Sequence, residues 1–284
     1  MRRILLCLAA LLCIGTASAQ TALKSRNNLT LPLAAPLDIE VHLVDGTLGY
    51  REYIAVQTGI SPIGDILATA RMRSKEDEII RPALARIKEG LSKAPRADML
   101  AAAIQSELEA TGNVKVGTIN VYDGNQSVPA VQPGDDTRNV LLLMCSYEMD
   151  AMFQAFIVSL HARYGTRTEV LSFGLKSDYA FMRAMQHRES AARGGLWSFA
   201  EDAARYWEGV GPEAIDRRID AGLRDVAAML AYELQRKPKF GRIPGKQYAI
   251  SKQYAVIETE RGDRAWLRAR TSGHLASLPL TEVR

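Results

Sequence analysis

Cysteine is nearly absent from this chain, with three in 284 residues. Two of them, Cys7 and Cys13, fall inside an N-terminal segment that reads as a cleavable leader, which leaves Cys145 alone. One cysteine makes neither an internal disulfide nor a cysteine-based metal site, so packing has to supply the stability. Cys145 closes the apolar run Val140-Leu141-Leu142-Leu143-Met144 and is expected to be a buried small hydrophobe. A nucleophilic cysteine needs a basic, accessible setting, and this one has neither.

Histidine is also scarce. The four present, His42, His161, His187 and His274, form no H-x-x-x-H or H-x-H pair, so no sequence-local zinc site is expected. No G-x-S-x-G elbow and no G-x-x-x-x-G-K-[ST] loop occurs, and Gly194-Gly195 and Gly209-Val210-Gly211 lack the strand–turn–helix setting that phosphate binding requires. Motifs therefore assign no catalytic, cofactor-binding or metal-binding residue. Charge of one sign is lacking too: the net formal charge is only +4, and two of the arginines belong to the leader. So small an excess argues against a nucleic-acid partner.

Long hydrophobic runs are missing. The greasiest stretch, Ile4 to Ile14, is shorter than the ~20 residues a spanning helix needs. It follows Arg2 and Arg3 and precedes Ala17-Ser18-Ala19, which is the order of a secretion signal with small residues before the cut. Cleavage after Ala19 is predicted, leaving Gln20 first and placing the mature chain in a bacterial periplasm or outside the cell. Acylation is disfavoured, because bulky Leu6 and Leu12 precede Cys7 and Cys13 where a lipoprotein has a small residue.

The mature chain has the composition of a globular protein. The pattern predicts an N-terminal linker over 20–37, a core domain over 38–235, a basic linker over 236–246 and a small β-module over 247–284. Asp38 to Val44 alternates as a half-buried strand, with Ile39, Val41 and Leu43 inward and Asp38, Glu40 and His42 on a solvated face. Asp45-Gly46 marks a turn, and Tyr50 to Val56 is the expected returning strand.

Ser74 is the expected N-cap of a helix through Leu91. Pro82 either kinks that helix or sits in the first turn of a second one. A further helix carries Met99, Leu100, Ala103, Ile104 and Leu108 and stops at Gly112. Strands are expected over 114–122, 139–147, 152–164, 166–173 and 179–187. The second is apolar on both faces, as a central strand would be. Their close spacing predicts an antiparallel meander.

Ser198-Phe199-Ala200-Glu201 reads as a capping box. Gly211-Pro212 separates its helix from a longer one, with Ile215, Ile219, Leu223, Val226, Leu230 and Leu234 inward and Arg217, Arg218, Arg224 and Asp225 on the wet side. Short strands close the chain around an Arg261-Gly262-Asp263 turn. The predicted fold is α+β: a largely antiparallel or mixed sheet, amphipathic helices on one face and a C-terminal β-module.

Three constellations carry possible chemistry. Asp38, Glu40 and His42 share a strand face at a spacing able to hold a metal or an acid–base pair, but a solvated face explains them more simply. Glu148 and Asp150 end the most apolar strand and offer a carboxylate pair for a hydrolase; Asp135 and Asp136 read as turn residues. Trp197, Phe199, Tyr206 and Trp207 form a ligand platform in one reading and a core-facing helix side in the other. The function expected is a non-catalytic, envelope-associated interaction protein, without cofactors, whose basic and β-rich tail meets an envelope protein or a cell-wall component. The alternatives are a hydrolase on Glu148 and Asp150 and a small-molecule or lipid carrier.

Overall fold

The computed structural model describes residues 36–44, 48–50, 69–70, 73–74, 76–124, 139–149, 153, 155–166, 173–182, 196–235, 247–250, 253–269 and 275–280. The leader, the cut at Ala19, the basic linker and Asp135, Asp136 and Asp150 lie outside these residues.

Strand β1 (Leu37–Leu43) sits between β3 (Val116–Asp123) and β4 (Asn139–Met149), parallel to both. The short β2 (Gly49–Tyr50) also runs parallel to β4, against Glu148 and Met149. Because β5 (Ala155–Thr166) covers the other edge of β4 along its whole length, β1 and β2 lie end to end on one edge. Tyr50 is thus not the start of a strand returning beside β1.

The order continues β4-β5-β6-β10-β9-β8-β7. It uses β6 (Phe173–Met182), β7 (Gln247–Ile250), β8 (Gln253–Arg261), β9 (Arg264–Ala269) and β10 (Leu275–Pro279). β10 joins the sheet parallel to β6, while β7, β8, β9 and β10 pair antiparallel among themselves.

This corrects the expected fold class. The strands β2, β4, β1 and β3 are parallel and the architecture is α/β-like, not an α+β arrangement around a largely antiparallel sheet. The physical reason lies between residues 69 and 110. Parallel neighbours need a long crossover, and this helical stretch is one, carrying the chain from β1 to β3. The strand spacing after residue 114 pointed the other way. β5 also runs unbroken through Tyr164 and Gly165, where the sequence pattern places a break; residues 167–172 lie outside the described ones.

A π-helical turn, Glu76–Ile80, leads directly into α1 (Arg81–Glu89). Pro82 falls in the first turn of α1, the second of its two expected placements, and the π-helical turn lies directly ahead of it. Ser74 is itself helical and is not the cap expected there. Helix α2 (Arg96–Ala110) ends where Thr111 Oγ1 donates to the Leu108 carbonyl at 2.7 Å and Gly112 takes a φ of +66°. Helix α3 (Leu196–Val210) begins two residues before Ser198, which places the capping-box serine inside the first turn. Gly211, at φ +81°, separates α3 from α4 (Pro212–Gln235). Gly90 admits this junction closely, because a Cβ there would stand 2.7 Å from the Pro212 Cβ.

α2 packs on β3 and β1, and α4 packs on β5, β6 and α2. Ile39, Val41, Leu43, Leu141, Leu143 and Cys145 meet Leu100, Ile104, Leu108, Ile219, Leu223 and Val226 in one buried core. The apolar stripe predicted for α4 is buried as expected. The opposite face of β4 is more open: Met144 is 40% exposed, so apolar content on both faces did not mean burial on both.

Candidate functional site

The most organised polar cluster joins the C-terminal strands to α4. Arg264, Trp266 and Arg268 alternate along β9 and so share one face of it. Asp225 and Glu233 lie on α4, and Glu258 lies on the neighbouring β8. The Arg268 guanidinium is 3% exposed; it bonds Glu233 and donates to Glu258 at 3.0 Å. Tyr232 donates its hydroxyl to the second Glu258 oxygen at 3.2 Å. Burial disfavours the charge on Arg268, but Glu233 and Glu258 outweigh it and raise its pKa.

Arg264 donates to Ser277 Oγ at 2.7 Å and to the Ser277 carbonyl at 2.8 Å, and approaches Asp225 at 3.6 Å. The Trp266 indole N–H donates to the other Asp225 oxygen at 3.2 Å. Burial pushes the Asp225 carboxyl pKa up, against the pull of Ser277, Arg264 and Trp266. These charges are spent internally, stitching the tail to the body. Asp225, expected on the wet side of α4, is 11% exposed and turned into this network. The signal was there as Arg-x-Trp-x-Arg on a strand facing acids eight residues apart on a helix.

Beside this cluster the C-terminal ends of α2 and α4 and the β8–β9 hairpin leave an open groove of about 410 Å³, whose lining includes Glu107, Ala110, Tyr232, Gln235, Arg261 and Trp266. Trp266 meets Tyr232 edge-to-face at 5.5 Å. The Arg261 guanidinium lies 5.7 Å from the Trp266 ring centre and bridges to Glu107 at 3.2 Å across the groove. The expected turn supports this placement: Gly262, at φ +62°, tightens the hairpin that carries Arg261.

The residues singled out in the sequence are placed elsewhere. Glu40 is 4% exposed, so the polar side of β1 is not the solvated face expected. Asp38 accepts the Thr118 N–H at 2.9 Å and fills the space a Cβ at Gly117 would need, which ties β1 to β3. His42 stacks on Tyr122 at 4.6 Å, and its Nε2 lies 3.9 Å from Glu40. Burial lowers the His42 pKa, partly offset by Glu40.

Glu148 is half-buried beside Gly49 at the end of β4. Cys145 is fully buried, and burial pushes its thiol pKa far up, which suits a core residue. Trp207 is 1% exposed, and its indole N–H donates to the Phe153 carbonyl at 2.5 Å. Among the described residues no three His, Cys, Asp or Glu side chains could hold a metal ion, and no helix is long and apolar enough to cross a membrane.

No protein-family model matches the chain, and no curated protein matches it.

Proposed function

We propose that this is a non-catalytic, envelope-associated interaction protein that receives a polypeptide segment of an envelope partner in the groove between α2, α4 and the β8–β9 hairpin. The groove itself carries the reading. Small-molecule sites are enclosed and bury most of their ligand, whereas this surface is open. Its partly exposed members Tyr232 and Arg261, backed by the buried Trp266, are of the residue types that most often anchor protein interfaces. The secretion-type leader supports the compartment. The tail takes part as one wall of the groove, through β8 and β9, and is not a free arm.

Deleting the tail is a poor test, because β10 pairs with β6 and the buried Arg268 and Arg264 contacts would go with it. Ala110→Arg is better. Ala110 is exposed on the last turn of α2 and lines the groove, so a long side chain there fills it without touching the core. The expected result is that the wild-type chain sediments with the cell envelope while Ala110→Arg is released with an unchanged melting temperature. Identical fractionation of the two proteins would overturn the assignment.

A further inference from the structure

Strand register brings together three side chains that are far apart in sequence. His42 on β1 pairs with Met144 on β4, and Met144 pairs with His161 on β5. Paired residues point to the same side of a sheet, so His42, Met144 and His161 form one row across three adjacent strands. The row lies on the face opposite Leu143 and Cys145, away from the core beneath α2 and α4. Its centre is open, with Met144 40% exposed.

We propose that this row is a binding site for a soft monovalent cation, Cu(I), ligated by the imidazoles of His42 and His161 with the Met144 thioether between them. Thioether and imidazole together select Cu(I) over harder ions, which prefer carboxylate and water. Neighbouring strands lie about 4.8 Å apart, so the two histidine backbones stand roughly 9.6 Å from each other. Two imidazoles reaching over the intervening strand, each with a metal–nitrogen bond of about 2 Å, span that gap. Met144 rises from the middle strand beneath the meeting point.

The surroundings of His42 fit the role. Its ring is stacked on Tyr122, and Glu40 Oε2 lies 3.9 Å from Nε2. Nε2 itself is buried without a hydrogen-bond partner. With Nε2 enclosed, Nδ1 is the nitrogen assigned to the ion, and the Tyr122 stack fixes the plane of the ring. No pair of histidines close in sequence announces the site, because only the strand register makes it.

The test is anaerobic Cu(I) titration of the full mature chain against bicinchoninate, followed by X-ray absorption of the loaded protein. One equivalent is expected to bind, with two nitrogens and one sulfur around the metal. Met144→Leu, which preserves volume, and His161→Asn, at an exposed position, are each expected to weaken binding at least tenfold while the metal-free proteins melt as wild type does. Cys145→Ser, on the other face of the same strand, is expected to leave the Cu(I) affinity unchanged. Equal affinity in wild type, Met144→Leu and His161→Asn overturns the proposal, as does loss of binding in Cys145→Ser or a metal shell without sulfur.

Discussion

Replacing Arg268 with methionine should be among the most damaging single changes in the tail. The guanidinium is 3% exposed, as is its partner Glu233, while Glu258 is 7% exposed. Removing the cation leaves two carboxylates facing each other in a poorly solvated space. Breaking a buried pair in this way costs about 3–5 kcal/mol, against about 0.3–0.5 kcal/mol for an exposed helical pair. Arg205–Glu201, whose side chains are 71% and 45% exposed, is an internal control of the second kind.

For a chain of this size, about 3–5 kcal/mol corresponds to a fall in Tm of roughly 6–20 °C. The double variant Arg268→Met, Glu233→Met should recover part of that loss, because an apolar pair replaces one buried ion pair while Glu258 keeps only its Tyr232 donor. Urea denaturation of the four proteins of the cycle, monitored by tryptophan fluorescence, gives both numbers. If Arg268→Met costs less than about 1 kcal/mol, or if the double variant is no better than the single, the tail is not held by this network.

Other expectations follow from the same geometry. Trp207→Phe leaves the buried Phe153 carbonyl without its 2.5 Å donor and should cost about 1–3 kcal/mol, read by chemical denaturation. Gly90→Val should destabilise by about 1–3 kcal/mol, since its Cβ would stand 2.7 Å from Pro212, whereas Gly112→Asn, at a positive φ with open space, should be nearly neutral. His42 contributes a pH dependence. Its folded pKa is lowered below 6.5, so the unfolded chain binds the proton first and stability is lost as pH falls from above 6.5 towards the folded value. His42→Phe should flatten that part of the stability–pH curve, and an unchanged slope would assign it to other groups.

Elements with a period were legible in the sequence; partners in space were not. The stripe from Ile215 to Leu234 and the inward set Ile39, Val41 and Leu43 are buried as their spacing requires, because amphipathicity is a local property. The parallel pairing of β1 with β3 and β4 was hidden, since direction depends on the crossover through α1 and α2 and not on either strand's own residues. Glu40 is buried although its alternation with Ile39 and Val41 placed it in water, because half-burial is set by what covers the second face.

The groove was out of reach for the same reason. Glu107, Tyr232 and Arg261 come from three elements, and nothing in their sequence neighbourhoods marks them as neighbours. The tail's importance was visible as a β-rich segment. Its mode of attachment, through charges buried against α4, was not.

In-cell photocrosslinking from residue 235 probes directly whether the groove beside Trp266 receives a partner's polypeptide. Gln235 lines the groove and is exposed, so a photoreactive residue there leaves the fold intact. One reproducible protein adduct is expected in the envelope fraction, lost when Ala110→Arg is added. An adduct formed equally in the presence of Ala110→Arg, or no protein adduct at all, would contradict that assignment.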